Sequence, residues 1–372
     1  MTKPFYMVVT GFLGAGKTTS MIAMARVVNS KYGNGGIIAN DLGAKNLVDA
    51  DLTRKADVEI SEITGDCICY VTEDLVHRID GLVANGCNVV MSDIPGSGLG
   101  SLDHVVIKIK DEYPGKYELL PLTCIVDPER LRMILPERAN INLPEEMRFL
   151  LNAQIAEADL IVLNKIDMLS EEEKQADLEF IRSAYPEIPV MCMSARTGEG
   201  VEEVVDYVMQ HRAAAIHREI GYGSDEMDDA ERQMCWYNRR FFVKEREGKN
   251  IDFNQVVDDF FEAIRDGLID AKRNVPHLKL FAAGEGDDYV KASLIGVDYD
   301  IEYDRKLDQE YTAMAIIVNA RALCESETMG EIVDDACDFI KSRYNLKCNI
   351  NFTECFGFYD EGRRNGGRAS KL

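Results

Sequence analysis

The chain has 372 residues, 46% of them hydrophobic and 29% charged, a composition that excludes the disordered and fibrous classes and leaves room for two cores. No apolar run approaches the roughly 20 residues of a membrane span. A formal net charge of −23, with no basic, aromatic-interleaved stripe to offset it, argues against a nucleic-acid partner. The N-terminus lacks a signal-peptide stretch, so a cytoplasmic protein is expected. Ten cysteines are scattered along it, and those in apolar segments (Cys124, Cys192, Cys348, Cys355) read as small buried hydrophobes of a reducing compartment.

From residue 5 to about residue 212, apolar runs of strand length alternate with amphipathic runs of helix length. The first strand, Phe5–Thr10, meets Gly11-Phe12-Leu13-Gly14-Ala15-Gly16-Lys17-Thr18-Thr19, a full Walker A pattern that opens a helix over Lys17–Asn29. Glycines there let backbone N–H groups curl around phosphates, while the helix N-terminus adds partial positive charge. Lys17 is expected on the β- and γ-phosphates, and the Thr18 hydroxyl on Mg²⁺. A second strand, Gly36–Asn40, ends at Asp41, a candidate for the Mg²⁺ shell or for orienting water.

After a third strand, Val58–Thr64, comes Gly65-Asp66-Cys67-Ile68-Cys69-Tyr70, where Cys67 and Cys69 are the one cysteine pair spaced like ligands. A helix over Thr72–Asn85 precedes the strand Asn88–Asp93. Asp93 followed by Ile94-Pro95-Gly96 has the form of a Walker B acid and a glycine whose N–H senses the γ-phosphate. The strand Leu119–Asp127 and the helix Pro144–Glu157 come next. Leu160–Asn164 then leads into Asn164-Lys165-Ile166-Asp167, in which a carboxylate can accept both the N1–H and the exocyclic amine of guanine. A capped helix over Ser170–Tyr185, the strand Ile188–Met193 with Ser194-Ala195-Arg196 as a second base-contacting loop, and a helix over Gly200–His211 finish this part. Such alternation, with continuously apolar strands, predicts an α/β fold: a doubly wound, mostly parallel P-loop sheet binding Mg²⁺ and GTP.

Residues 1–215 are therefore read as a P-loop domain and 216–235 as a linker, with a smaller α+β domain over 236–358 and a flexible tail over 359–372. In the second domain the strands are Trp236–Lys244, His277–Ala283, Tyr289–Val297, Tyr311–Ala322 and Lys347–Phe356. Its helices are Asn254–Lys272 and Glu327–Tyr344, placed together on one face of one sheet.

With these motifs in order, residues 5–212 resemble the CobW/HypB/UreG/MeaB-type SIMIBI GTPases, above all the CobW-like branch. The P-loop is similar, as are the stretch Ile37–Gly43 with Asp49-Ala50-Asp51 and the run from Gln154 to Asp159 ahead of Asn164. Asp41 stands where that family usually has Glu, Asp93 leads a switch II that is usually led by Glu, and Tyr70 replaces the third cysteine of a Cys-x-Cys-Cys metal motif. The resemblance implies GTP hydrolysis coupled to delivery of a metal such as Zn²⁺, or of a cobalamin cofactor, to a client metalloenzyme, with a homodimer as the typical assembly. Because two thiolates fall short of a closed zinc set, Glu62, Asp66, a second subunit or solvent would complete it. Two alternatives remain: a metal-free GTPase that remodels a corrinoid enzyme, and a P-loop kinase, which the guanine motif disfavours.

Overall fold

The computed structural model describes residues 3–41, 58–64, 67–96, 98–134, 145–221, 223–284 and 288–357. Two compact units divide the chain, the first reaching Asp228 and the second beginning at Asp229. Expectations for Leu42–Gly43, Asp49–Asp51, Gly65, Asp66 and the tail 359–372 fall outside the described residues.

In the first unit the strands β1 (Phe5–Thr10), β2 (Gly35–Asp41), β3 (Glu59–Thr64), β4 (Val89–Asp93), β5 (Glu118–Leu119), β6 (Thr123–Val126), β7 (Leu160–Leu163) and β8 (Val190–Cys192) form one parallel sheet. Its order is β3-β2-β4-β1-β6-β7-β8, with the short β5 also pairing with β1. The expected strand Leu119–Asp127 is broken because Pro121, having no N–H, cannot continue the ladder; β5 pairs with Phe5 and Tyr6, and β6 with Val9 and Thr10.

Alternation along β1 explains why its sequence is apolar throughout. Met7 and Val9 pack on one core with Met21, Met24 and Val28 of helix α1 (Lys17–Lys31), whereas Tyr6 and Val8 pack on another with Leu75, Ile79 and Leu82 of helix α2 (Thr72–Ala84). Two elements were not anticipated: a π-helical turn, Leu102–Ile107, running into α3 (Lys108–Glu112), and α4 (Pro128–Ile134). Helix α5 (Glu145–Ala156) leads to β7, and α6 (Glu171–Ala184) starts at a capping box in which the Ser170 hydroxyl accepts from Glu173 N and Ser170 N donates to Glu173 Oε2. Helix α7 (Val201–Gln210) closes the layer.

The expected linker contains a helix, α8 (Asp225–Arg232), within which the boundary between the units falls. Its buried Met227 and Ala230, three residues apart, form an apolar stripe that the surrounding acids mask in sequence. In the second unit β9 (Cys235–Glu245), β10 (Asn274–Ala283), β11 (Tyr289–Leu294), β12 (Glu302–Arg305), β13 (Ala313–Leu323) and β14 (Leu346–Gly357) form an antiparallel sheet in the order β12-β11-β10-β13-β9-β14. Strand β12 was not anticipated, being short and polar.

Helices α9 (Phe253–Asp270) and α10 (Ser326–Arg343) share a single core with alternate residues of β9, namely Tyr237, Phe241 and Val243. Gly267 permits their approach, since a Cβ there would lie 3.0 Å from Ile332. Phe260, buried at the centre of that core, packs on Phe241 with ring centroids 5.9 Å apart. A Phe260→Ala variant is expected to lose about 3–5 kcal/mol of this unit's stability. The check is a fall in urea midpoint followed by the fluorescence of Trp236, the single tryptophan, which is buried on β9.

Candidate functional site

In a parallel sheet the loops that follow the strands gather at one edge, and the sequence-predicted residues lie on those loops, at the strand ends before them or in the first turn of α1 after them. Between β1 and α1 the chain turns through Gly11, Gly14 and Gly16 at φ of 130°, 79° and 92°, all in the left-handed region. Each also sits where a side chain cannot. A Cβ would come within 2.2 Å of Ile125 O at Gly11, 1.9 Å of Arg130 Nη2 at Gly14 and 2.6 Å of Asn164 Nδ2 at Gly16. No side-chain oxygen caps α1, which is how a helix that receives an anion begins. Ala15 is buried in the turn, Thr18 is half-buried on the first helical turn, and Thr19 is exposed. Lys17, itself buried, donates from Nζ to Gly11 O (2.7 Å) and Phe12 O (3.2 Å).

Asp93 ends β4 and is buried; its Oδ1 accepts from Asn40 N at 2.9 Å. The Asn40 side chain continues the link: Oδ1 accepts from Ile68 N (3.0 Å) and Nδ2 donates to Ile63 O (3.2 Å). Ile68 lies between Cys67 and Cys69, and both cysteines pack on Ile94, the residue after Asp93. Gly96 is pressed on the phosphate loop, since a Cβ there would be 2.7 Å from Leu13 N and 2.8 Å from Lys17 Nζ. Asp41 closes β2 as expected, but its side chain lies outside the described residues.

Cys67 and Cys69 are buried and joined in a disulfide, with Tyr70 packed against them. Among the described residues no group of three or more His, Cys, Asp or Glu is arranged to hold a metal ion, so Glu62 does not join the pair in such a set. The eight other cysteines are free thiols; of the four expected to be buried, Cys124 is, while Cys192, Cys348 and Cys355 are half-buried.

The loops that follow β7 and β8 interlock. Asn164 donates from Nδ2 to Ala15 O (3.0 Å) and accepts at Oδ1 from Ala195 N (3.0 Å). Asp167 accepts at Oδ1 from the Ser194 hydroxyl (2.6 Å) and is ion-paired at Oδ2 with the exposed Arg196 (3.2 Å). Lys165 adopts a left-handed φ of 61° and directs Nζ to Asp127 Oδ2, 3.2 Å away.

Asp127 and Arg130 were missed in the sequence. Arg130 is fully buried, donates from Nε to Leu13 O (2.8 Å) and pairs through Nη1 with Asp127 and Glu129, each at 3.2 Å. Asp127 also accepts from Arg130 N (2.8 Å) ahead of Pro128, the first residue of α4. Acid followed by proline at a strand end is a helix-start signal that could have located it. Burial alone would raise the Asp127 carboxyl, but the charges of Arg130 and Lys165 hold it below its ordinary value.

Folding thus lowers this pKa, so the ionised carboxylate contributes stability above the unfolded value, about 3.9, and the contribution is lost as pH falls through the lower folded one. Asp127→Asn strands two cations and is expected to cost about 3–5 kcal/mol at neutral pH. The deficit relative to the wild type should shrink below about pH 4, as measured by urea denaturation across pH.

Residues 5–191 match the family described as CobW/HypB/UreG, nucleotide-binding domain. The zinc chaperone YeiR of Escherichia coli is 30% identical over 179 residues, 45% of this chain and 48% of that protein, so the match spans about half of that relative's length. The zinc chaperone CobW of a Sinorhizobium species is 27% identical over 326 residues, 80% of this chain and 87% of that one. Among solved structures, the Zn(II)-bound YjiA GTPase of E. coli is 15% identical with a TM-score of 0.36, covering 91% of this chain and 99% of its own. HypB of Helicobacter pylori in complex with nickel is 18% identical with a TM-score of 0.39, covering 56% and 86%. With half its length matched in one continuous stretch, the chain belongs to the CobW/HypB/UreG nucleotide-binding family.

Proposed function

We propose that this protein is a GTP-hydrolysing metallochaperone that exchanges a zinc ion at Cys67 and Cys69 in step with its nucleotide. The observation that carries the reading is the bridge Asp93–Asn40–Ile68, which ties the acid at the end of β4 to the backbone between the two cysteines. Any shift of Asp93 on nucleotide turnover is thereby passed to the thiol loop.

Lys17, Gly96 and the glycines of the P-loop hold the phosphates, and Asp167, seated by Ser194 and Arg196, reads guanine while Asn164 and Ala195 brace its loop. Thr18, Asp93 and Asp41 offer the hard oxygen donors that suit Mg²⁺. When bound, Mg²⁺ offsets charge on the phosphate oxygens. Zinc is cargo, and its soft thiolate ligands are available only once the Cys67–Cys69 disulfide is reduced. Solvent or the client metalloenzyme supplies the remaining donors. Zinc chaperones among the relatives support this cargo over cobalamin. We further propose a cytoplasmic homodimer.

Under reducing conditions, Zn²⁺ binding at one ion per chain is expected in the wild type, with an affinity that differs about tenfold or more between the GTP and GDP forms. Cys67→Ala with Cys69→Ala should abolish binding, whereas Asn40→Ala should keep binding and lose its nucleotide dependence. Cysteine-independent binding would sink the cargo assignment and favour a GTPase that remodels a corrinoid enzyme. For the base, Asp167→Ala is expected to weaken GTP binding about 100-fold or more, read by calorimetric titration against ATP.

A further inference from the structure

Gly96 and the stretch Gly98–Gly100, which follow β4, belong to no helix or strand, so the backbone polar groups that local turns leave unmet need partners from elsewhere. Two side chains at the C-terminal end of α5 provide them. Gln154, buried, donates from Nε2 to both Gly96 O (3.0 Å) and Gly98 O (2.7 Å). Glu157, three residues on and fully buried, accepts from Leu102 N (3.1 Å), the first residue of the π-helical turn, and from the Thr10 hydroxyl (3.4 Å), the last residue before the phosphate loop. The Ser101 hydroxyl, close by, is buried without a hydrogen-bond partner of its own.

Gripping the segment at several points, α5 also leads within four residues into β7, whose end carries Asn164. Burial raises the Glu157 carboxyl to about 7 despite these donors, so the group is retained in an environment that opposes its charge. The Gln154 Oε1 atom is buried without a hydrogen-bond partner. A buried amide with one unmet acceptor is costly to keep, and it offers a second position for a backbone N–H of the same segment. Neither side chain belongs to the phosphate, base or thiol machinery described above.

We propose that Gln154 and Glu157 are positioning residues of switch II, a latch that sets where Gly96 stands against Lys17 and so fixes the preference for GTP over GDP and the rate of hydrolysis. The inference rests on the nucleotide reading proposed above. With Gly96 held by its carbonyl, its contact with the phosphate loop is defined from behind by α5; with the latch broken, the phosphate loop and the base loops are untouched but the γ-phosphate loses its sensor.

The test uses the full chain with Mg²⁺ and GTP, measuring kcat and KM together with GDP affinity and thermal midpoint. Gln154→Met keeps the volume and removes the donor, and it is expected to lower kcat and the GTP-over-GDP preference about tenfold or more while GDP affinity stays at the wild-type value and the midpoint falls by no more than the loss of two buried hydrogen bonds entails. Glu157→Gln keeps the shape and an acceptor oxygen and is expected to retain kcat, whereas Glu157→Leu should reproduce the loss. Unchanged kcat in Gln154→Met, or an equal loss of GTP and GDP affinity, would overturn the latch alone. A wild-type chain that does not hydrolyse GTP would overturn the nucleotide reading and the latch with it.

Discussion

The first unit is organised around the steric demand of the turn between β1 and α1. Its three left-handed glycines are not merely permissive; each one's missing side chain is the space taken by a group from another element, the Ile125 carbonyl of β6, the Arg130 guanidinium of α4 and the Asn164 amide that follows β7. Close packing of this kind makes the turn and its neighbours one object. No loop at the carboxyl edge of the sheet can move far without displacing the backbone that faces the phosphates, and that backbone cannot be reshaped by substitution without displacing them.

Electrostatics add to that constraint. Arg130 from α4 and Lys165 from the turn after β7 approach the same buried Asp127, so the loop of Asn164–Asp167 and the turn between β1 and α1, which Arg130 also contacts, share a counter-charge. An isolated buried carboxylate would be destabilising, and the two cations with a backbone N–H offset its desolvation. On the other flank, Asn40 uses its backbone N–H and both ends of its amide to join Asp93, β3 and the loop of Cys67 and Cys69. The two flanks differ in kind: one is a cluster of ion pairs, the other a run of amide hydrogen bonds from the Asp93 carboxylate to the loop of Cys67, Ile68 and Cys69.

Much of this was legible in the chain because it is local. Walker A glycines, the strand before them, Asp93 at a strand end and the Asn164–Asp167 motif are patterns of adjacent residues, and the structure brings Asn164, Ala195, Ser194 and Asp167 together. What could not be read are partners far apart in sequence. Arg130 meets Leu13 across 117 residues, and Gln154 meets Gly96 across 58. A buried arginine or glutamine has the same letters as an exposed one, and only the fold says which carbonyl it reaches. Secondary-structure errors have local causes: Pro121 divides an apolar run, polarity hides Glu302–Arg305, and acids mask the stripe of Asp225–Arg232.

The placement of Cys67 and Cys69 bears on how nucleotide and thiols can influence each other. A disulfide or a metal–thiolate set is a stiff local constraint, and here it sits on Ile94 with the intervening amide held by Asn40. Because the same Asn40 backbone donates to Asp93, a change in the thiol loop, whether reduction or loading, must either stretch that hydrogen bond or carry Asp93 with it. Coupling is reciprocal as a matter of thermodynamics. On the coupling proposed above, whatever displaces Asp93 would be felt at the thiols, and whatever changes the thiols would be felt at Asp93 in equal measure. Two consecutive hydrogen bonds make up that link, from Asp93 to Asn40 and from Asn40 to Ile68.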